Sequence, residues 1–182
     1  DPLGQELRVL GVLGHGASSR VLEVSRESDG RVFALKAALT EADDTRLKEE
    51  ARLLNSLRHS HIVQLHEVLT LAERTCLLLS VAGSQTLQQS LLKEGVTSLD
   101  YAARYGEELL LALEHLEERR ILHRDLKPGN IGVGASRKEA LHLTLFDFSL
   151  ALDVANPSPG SPSASQIRIG TAVYRDPYLP LR

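Results

Sequence analysis

Cysteine is nearly absent from this 182-residue chain, and methionine and tryptophan are wholly absent. The single cysteine, Cys76, cannot supply a disulfide framework or a cysteine-based zinc site, and this fits a reducing compartment. No apolar run is long enough to span a bilayer, and no secretory signal peptide is recognisable. The sequence therefore predicts a cytoplasmic protein with no membrane segment in this stretch.

An excess of either charge is also lacking, because 21 Lys and Arg stand against 24 Asp and Glu and the net charge is −3. A general nucleic-acid-binding surface needs a strong basic balance, so we expect no nucleic-acid partner. Arginine outnumbers lysine, and alanine and leucine are abundant, which indicates a GC-rich, bacterial source. The chain starts without methionine and closes on "DPYLPLR". We interpret it as a truncated piece of a longer protein, and we expect it to be poorly stable or inactive alone.

Hydrophobic periodicity divides the chain into a strand-rich part and a helix-rich part. The first part predicts strands at 7–14, 20–26, 31–39, 61–71 and 75–81, and a helix at 41–59. The second part predicts helices at 86–95 and 98–120, short strands at 130–134 and 141–148, and a Ser/Pro/Gly-rich loop at 156–165. In the long helix, Leu109, Leu113 and Leu116 form an apolar stripe. The pattern favours an α+β class of two small lobes around a cleft.

Two charged residues stand in apolar surroundings. Lys36 is the only charge in "VFALKAAL", and Glu50 lies on the apolar face of the first predicted helix, with Leu47, Leu54 and Leu57. Because buried charge needs a partner, a Lys36–Glu50 ion pair would satisfy both residues. The alternative is a lysine on an edge strand whose ammonium reaches solvent, with a glutamate at the border of its helix face.

Two other patterns are typical of phosphate and metal chemistry. Gly14 and Gly16 lie between two strand patterns, where free backbone N–H groups could approach a phosphate. Taken alone, this Gly-x-Gly pattern is weak evidence and favours an ordinary hairpin turn. Asp125 and Asn130 lie five residues apart in "HRDLKPGN", and Asp147 follows in "LFDFS". Their oxygens would suit Mg²⁺, with one carboxylate left to accept a proton. The alternative is a solvated loop and a helix-capping aspartate.

In order and spacing, these patterns resemble those of the eukaryotic-like (Hanks-type) protein kinases over nearly the whole chain. The similar segments are Gly14-x-Gly16 with Val21, "FALK", "EARLLNSLRHSHIVQL", "HRDLKPGN", "DFS" and "GTAVYRDP". Lys127-Pro128 resembles the serine/threonine branch rather than the tyrosine branch. The resemblance implies a bilobal kinase-like fold, with an N-lobe and hinge at 1–83 and an incomplete, mainly helical C-lobe at 84–182.

By this resemblance, the chain would transfer the γ-phosphoryl group of ATP to Ser or Thr hydroxyls of a protein substrate. Asp125 would orient the acceptor hydroxyl and accept its proton, Lys127 would neutralise the γ-phosphate, and Asn130 and Asp147 would hold Mg²⁺. Lys36 would bind the α/β-phosphates, aligned by Glu50. The other implied ATP-binding residues are Leu13, Gly14, Gly16, Val21 and Ala34 around the nucleotide, Leu79 at the back of the pocket, and the hinge from Ser80 to Ala82.

The resemblance also implies roles near the catalytic loop. His123 would be structural, and Thr171 would bond to Asp125 and Lys127. Arg124 would bind a phosphate on the activation segment, where autophosphorylation is expected on a serine. The candidate serines are Ser158, Ser161, Ser163 and Ser165.

Four positions depart from the family pattern. Ser19 and Ser149 replace glycines, Gly132 replaces a larger residue below the adenine and implies a roomier pocket, and Tyr178 replaces a glutamate. Ser149, Gly132 and Tyr178 favour an alternative function, a pseudokinase that acts as a nucleotide-binding scaffold. A small-molecule kinase is a further alternative, which Lys127-Pro128 and the Ser-rich segment disfavour.

Overall fold

A computed structural model describes residues 6–95, 98–134 and 142–157, together with Thr171 and Tyr174. The chain divides into two compact units, one of residues 1–56 with 63–81 and the other of residues 57–62 with 82–182. The second unit thus includes a short segment that precedes the last two strands of the first. A domain boundary after residue 83 stays a prediction.

The first unit is a five-stranded antiparallel sheet with one helix. Its elements are β1 (Leu7–His15), β2 (Ser19–Arg26), β3 (Val32–Ala38), α1 (Glu41–Ser56), β4 (Leu65–Leu71) and β5 (Arg74–Leu79). The strand order is β1-β2-β3-β5-β4, which places β3 in the centre. Because side chains alternate along a strand, Phe33 and Leu35 pack into one core cluster while Lys36 lies on the opposite face of β3.

Helix α1 is capped and anchored by polar side chains. Thr40 Oγ1 accepts from the Asp43 N–H at 3.3 Å, and Asp43 Oδ2 accepts from the Thr40 N–H at 3.2 Å, which is a reciprocal cap of the helix start. Asp44 accepts a 2.6 Å hydrogen bond from the Thr75 N–H and so ties the first helical turn to β5. The helix ends at Ser56, three residues before the predicted end at 59.

The second unit combines two helices with short strands. Its elements are β6 (Gln85–Thr86), α2 (Leu87–Glu94), α3 (Leu99–Glu118), β7 (Ile121–Leu122), a 3₁₀ turn (Pro128–Asn130), β8 (Ile131–Val133), β9 (Leu143–Leu145) and β10 (Leu152–Asp153). Strands β6, β8 and β9 form one small sheet, and β10 pairs with β7. Of the predicted α3 stripe, Leu116 is buried, while Leu109 and Leu113 are half-buried.

The predicted α+β class is confirmed for the described residues, with an antiparallel sheet and one helix first and a partial helical part second. Two predicted strands are shorter than expected. The strand predicted from 61 begins at Leu65, and the strand predicted over 141–148 is described as β9 alone. β9 stops before Asp147, whose φ of 62° is incompatible with a strand. In the described part of the chain, no helix is both long enough and apolar enough to cross a membrane.

Candidate active site

Lys36 and Glu50 form the expected ion pair in the first unit. The Lys36 ammonium donates to both carboxylate oxygens of Glu50, each at 2.8 Å. The two residues are only 6% and 3% exposed, so water cannot stabilise either charge in place of the partner. The alternative of an edge-strand lysine that reaches solvent is excluded, because β3 lies between β2 and β5. The sheet and α1 thereby fix the position of the ammonium.

The remaining first-unit candidates lie on the strands around this lysine. Val21 is the cross-strand partner of Lys36 on β2, and Ala34 pairs with Leu79 on β5. Leu13 is about half exposed near the end of β1. The β1–β2 turn closes with a 2.8 Å hydrogen bond from the Gly16 N–H to the Ser19 carbonyl.

Ser80, the first residue of the proposed hinge, has its backbone N–H occupied. This N–H donates to the Gln64 carbonyl at 2.9 Å, and the Ser80 hydroxyl accepts from the Gln64 N–H at 2.9 Å. The carbonyl oxygen of Ser80 is therefore the backbone atom that remains to accept a hydrogen bond from adenine. Ala82 belongs to the second unit.

His123 is a structural residue of the second unit. It is buried, its ring meets the Phe148 ring edge-on at 4.7 Å, and its Nε2 lies 3.0 Å from the Phe146 carbonyl oxygen. Nδ1 accepts from the Asp125 N–H at 3.3 Å, so the proton of the neutral ring is on Nε2. Burial lowers the pKa of His123, which keeps this ring neutral at physiological pH. The histidine thus holds the backbone immediately before Asp125.

Asp125 is the centre of a hydrogen-bond network. Lys127 Nζ donates to its Oδ2 at 2.7 Å, and the Asn130 side-chain amide donates to the same oxygen at 3.0 Å. The backbone N–H and the hydroxyl of Thr171 both donate to Oδ1 at 2.8 Å, and Lys127 also donates to the Thr171 hydroxyl at 3.0 Å. These are the contacts expected of Thr171. The network assembles residues from two distant parts of the sequence.

The electrostatics of this network favour the ionised carboxylate. Burial by itself raises the pKa of Asp125, but the hydrogen bonds from Lys127 and Thr171 outweigh it and hold the pKa at about 2. The carboxylate is therefore charged at neutral pH and is a weak base. Such a group is suited to orient a hydroxyl and to accept its proton late in a transfer.

Asn130 and Asp147 carry the donor atoms that a hard divalent cation prefers. The Asn130 amide nitrogen bonds to the backbone carbonyl of Asp125 at 2.9 Å as well as to its carboxylate, which leaves the amide oxygen as the ligand atom. The Phe146 N–H donates to the Asn130 carbonyl at 3.0 Å and brings the chain before Asp147 to the 3₁₀ turn. Amide and carboxylate oxygens are the ligand set of Mg²⁺, so these residues fit such an ion.

Arg124 is partly buried, and its φ is 64°. Its Nε donates to the Leu150 carbonyl at 2.6 Å, so the guanidinium is fixed against the chain that follows Asp147. The activation-segment serines and Tyr178 lie outside the described residues, so their predicted roles remain predictions.

Two departures from the family pattern have a structural explanation. A Cβ on Gly132 would lie 2.2 Å from the Ala82 carbonyl oxygen, so the backbone of Ala82 fills the space that a larger side chain would need. The predicted extra room at Gly132 is therefore wrong. Sequence reasoning missed this approach, which continues at Gly83, where φ is 148° and the backbone packs on Val133. Ser149 is exposed and, unlike Asp147, is not among the described non-glycine residues with positive φ.

Comparison with known proteins finds one family and several relatives whose names agree with it. Residues 7–179 match the family described as "Protein kinase domain". The chain is 32% identical over 180 residues to the Arabidopsis thaliana serine/threonine-protein kinase AtPK2/AtPK19, a match that covers 96% of this chain and 36% of that protein. It is 32% identical over 172 residues to 3-phosphoinositide-dependent protein kinase B of Dictyostelium discoideum, covering 92% of this chain and 18% of that protein.

A third relative is the probable serine/threonine-protein kinase zyg-1 of Caenorhabditis briggsae, 30% identical over 142 residues, covering 78% of this chain and 20% of that protein. The chain thus spans about a fifth to about a third of the length of these curated relatives.

Proposed function

Because this chain belongs to the protein kinase domain family, we propose that it carries an ATP-dependent serine/threonine protein kinase activity. The product would be a phosphoserine or phosphothreonine on a protein substrate. The observation that carries this proposal is the network in which Asp125, Lys127, Asn130 and Thr171 converge. A scaffold that only bound nucleotide would not need an ionised, fully hydrogen-bonded carboxylate at this position.

The second unit supplies the groups for the transfer step. Asp125 orients the acceptor hydroxyl and accepts its proton, and Lys127 neutralises charge that develops on the transferred phosphoryl group. Asn130 and Asp147 hold Mg²⁺, which neutralises phosphate charge when it is bound. Thr171 positions Asp125 and Lys127 through its hydroxyl.

The first unit supplies groups for ATP. Lys36 binds the α/β-phosphates, and Glu50 fixes its ammonium. Gly14 presents its backbone N–H to phosphate, and Gly16, whose own N–H is bonded to the Ser19 carbonyl, lets the loop approach the phosphate closely. The apolar side chains of Leu13, Val21, Ala34 and Leu79 contact the nucleotide. Ser80 bonds to the adenine edge through its backbone carbonyl, and Ala82, which belongs to the second unit, bonds to it through its backbone.

The decisive experiment measures phosphate transfer from Mg-ATP by the full-length protein, both to a panel of Ser/Thr peptides and to the protein itself, with intact mass and peptide mapping as the readout. We expect incorporation on Ser or Thr that is lost in Asp125→Asn, because removal of a general base costs about 10²–10⁴-fold in rate. Asp100→Asn, an exposed residue of α3, is the matched control and should retain activity. If the wild type binds ATP but transfers no phosphate, the scaffold function replaces this proposal.

Peptide mapping also tests autophosphorylation. We propose that Ser158, Ser161, Ser163 or Ser165 is phosphorylated and that Arg124 binds the phosphate. An active protein whose segment stays unmodified would exclude this regulation. We further propose a cytoplasmic location, no nucleic-acid partner and a bacterial source, since the sequence has a single cysteine, a balanced charge and an excess of arginine.

A further inference from the structure

Histidines gather at one place in the second unit, away from the Asp125 network. His61 lies in the segment before β4, and His142 immediately precedes β9. Their rings are 4.8 Å apart between centroids, and the Glu108 carboxylate of α3 lies beside them. Each of the three residues offers one ligand atom, and these atoms lie within 4.8 Å of one another. Three segments that are distant in sequence therefore deliver two imidazoles and one carboxylate to a single point.

We propose that His61, Glu108 and His142 form a binding site for a divalent transition-metal ion, with Zn²⁺ as the ion that fits best. Two histidines and one carboxylate are a known zinc ligand set, and imidazole nitrogen favours zinc over magnesium or calcium. This site is separate from the Mg²⁺ site proposed for Asn130 and Asp147, which offers oxygen ligands only.

The spacing is close to what a metal ion requires. His61 Nδ1 lies 3.6 Å from Glu108 Oε2, and the two side chains are only 11% and 10% exposed. Ligands at about 2.0–2.1 Å from a tetrahedral zinc ion lie roughly 3.3 Å from one another. His142 is exposed and can therefore rotate inward by the ångström or so that remains. Its exposure also gives the ion a route from solvent and leaves a fourth position for water.

Backbone groups already orient these side chains. His61 Nδ1 lies 3.0 Å from the Leu143 carbonyl, and His142 Nε2 lies 3.0 Å from the Ser60 carbonyl. The Leu143 N–H donates to Glu108 Oε2 at 2.7 Å. Metal-bound histidines commonly donate one ring N–H to a carbonyl, which leaves the other nitrogen for the ion. At His142 this arrangement leaves Nδ1 for the ion. At His61 the same nitrogen, Nδ1, adjoins both the Leu143 carbonyl and Glu108 Oε2, so a bound ion would replace the proton on Nδ1.

The charge near the site also favours a cation. Glu108 is a buried carboxylate, and the nearest guanidinium, from the half-exposed Arg104, is 3.3 Å from its Oε1. A bound ion would link α3 to β9 and to the segment before β4.

Zinc titration of the whole chain in metal-free, nucleotide-free buffer tests the proposal. Calorimetry should show one site, and thermal unfolding should shift upward with Zn²⁺. We expect His142→Gln and Glu108→Gln to weaken binding by at least about tenfold, since even outer-shell changes cost about 10–100-fold. His15→Gln, at an exposed histidine of the first unit, is the matched control and should leave affinity unchanged.

Two further measurements distinguish a metal site from a purely structural glutamate. Arg104→Gln should tighten Zn²⁺ binding, because it removes the cation that competes for Glu108. Co²⁺ bound in place of zinc should give the visible bands of a site with nitrogen and oxygen ligands, and these bands should be lost in His142→Gln. The proposal is overturned if the wild type does not bind micromolar Zn²⁺, or if His142→Gln binds it equally well.

Discussion

Lys36 and Glu50 are both buried, and each charge is stabilised by the ion pair with the other. Removing one side chain takes this ion pair from the buried charge that remains. We therefore expect Glu50→Ala to lower the free energy of unfolding by about 3–5 kcal/mol, as measured by urea denaturation.

A double variant separates this electrostatic effect from loss of packing. Lys36→Met with Glu50→Leu replaces both charges by apolar side chains of similar volume, so we expect it to be more stable than Glu50→Ala. The double variant should nevertheless have no kinase activity, because Lys36 is the proposed phosphate ligand. If the double variant is as unstable as Glu50→Ala, the charge of Lys36 is not the cause of the lower stability of Glu50→Ala.

Thr171 reaches Asp125 from a distant part of the sequence through one hydroxyl and one N–H. Thr171→Val retains the shape and the N–H bond but removes the hydroxyl bonds to Asp125 and Lys127. A hydrogen bond to a charged group contributes about 1.5–3 kcal/mol, so we expect kcat to fall by roughly tenfold or more.

Thr171→Ser is the control, because it retains the hydroxyl and should keep most of the activity. Steady-state kinetics with one peptide substrate measure both variants. Equal losses in the two variants would mean that the hydroxyl hydrogen bonds are not the cause, because Thr171→Ser retains them.

At the scale of elements, two glycines allow the segment of Ala82 and Gly83 to pack closely against β8. A Cβ on Gly132 would meet the Ala82 carbonyl at 2.2 Å, and a Cβ on Gly83 would meet the Val133 carbonyl oxygen at 2.6 Å. We expect Gly132→Ala to lower the free energy of unfolding by about 1–3 kcal/mol, because backbone atoms must shift.

Gly106→Ala provides the opposite case in the same unit. Gly106 lies inside α3, and nothing is within 4 Å of a Cβ added there. Because glycine is a poor helix former, this change should raise the free energy of unfolding by about 0.5–1 kcal/mol. Chemical denaturation measures the free energy of unfolding of both variants. If both changes are destabilising, the lack of space at Gly132 does not explain the loss of stability in Gly132→Ala.

Element types were predictable where a hydrophobic period extended over many residues. The strands of the first unit and helix α1 follow from such periods, and the buried Leu47, Leu53 and Leu54 lie on the inner face of α1. The ends of elements were less predictable, because tertiary contacts decide them. The positive φ at Asp147, for example, ends the pattern that had predicted a strand to 148.

At the scale of the molecule, the candidate site was predictable because its residues lie in short motifs. The Lys36–Glu50 pair was one of two interpretations of two charges in apolar patterns, and the structure confirms it. The packing of Ala82 against Gly132 could not be inferred, since an absent side chain does not specify what occupies its space. Likewise, the cluster of His61, Glu108 and His142 is formed by tertiary folding from single residues without a motif.

The stability of the whole protein should depend on pH through Asp125. Its pKa is about 2 in the folded chain against a reference value of 3.8, so folding favours the ionised form. The stabilisation is fully present above about pH 4 and is lost as the pH falls through 2, because protonation removes the charge that Lys127 and Thr171 stabilise.

Comparison with Asp125→Asn isolates this contribution. The wild type should exceed the variant in free energy of unfolding by a constant amount above pH 5, and the difference should shrink between pH 4 and 2. Urea denaturation of both proteins at several pH values measures this difference in free energy of unfolding. Glu107→Gln, at an exposed residue of α3, is the control for the removal of a surface carboxylate. A difference that stays constant down to pH 2 would mean that the Asp125 carboxylate is not held ionised by Lys127 and Thr171.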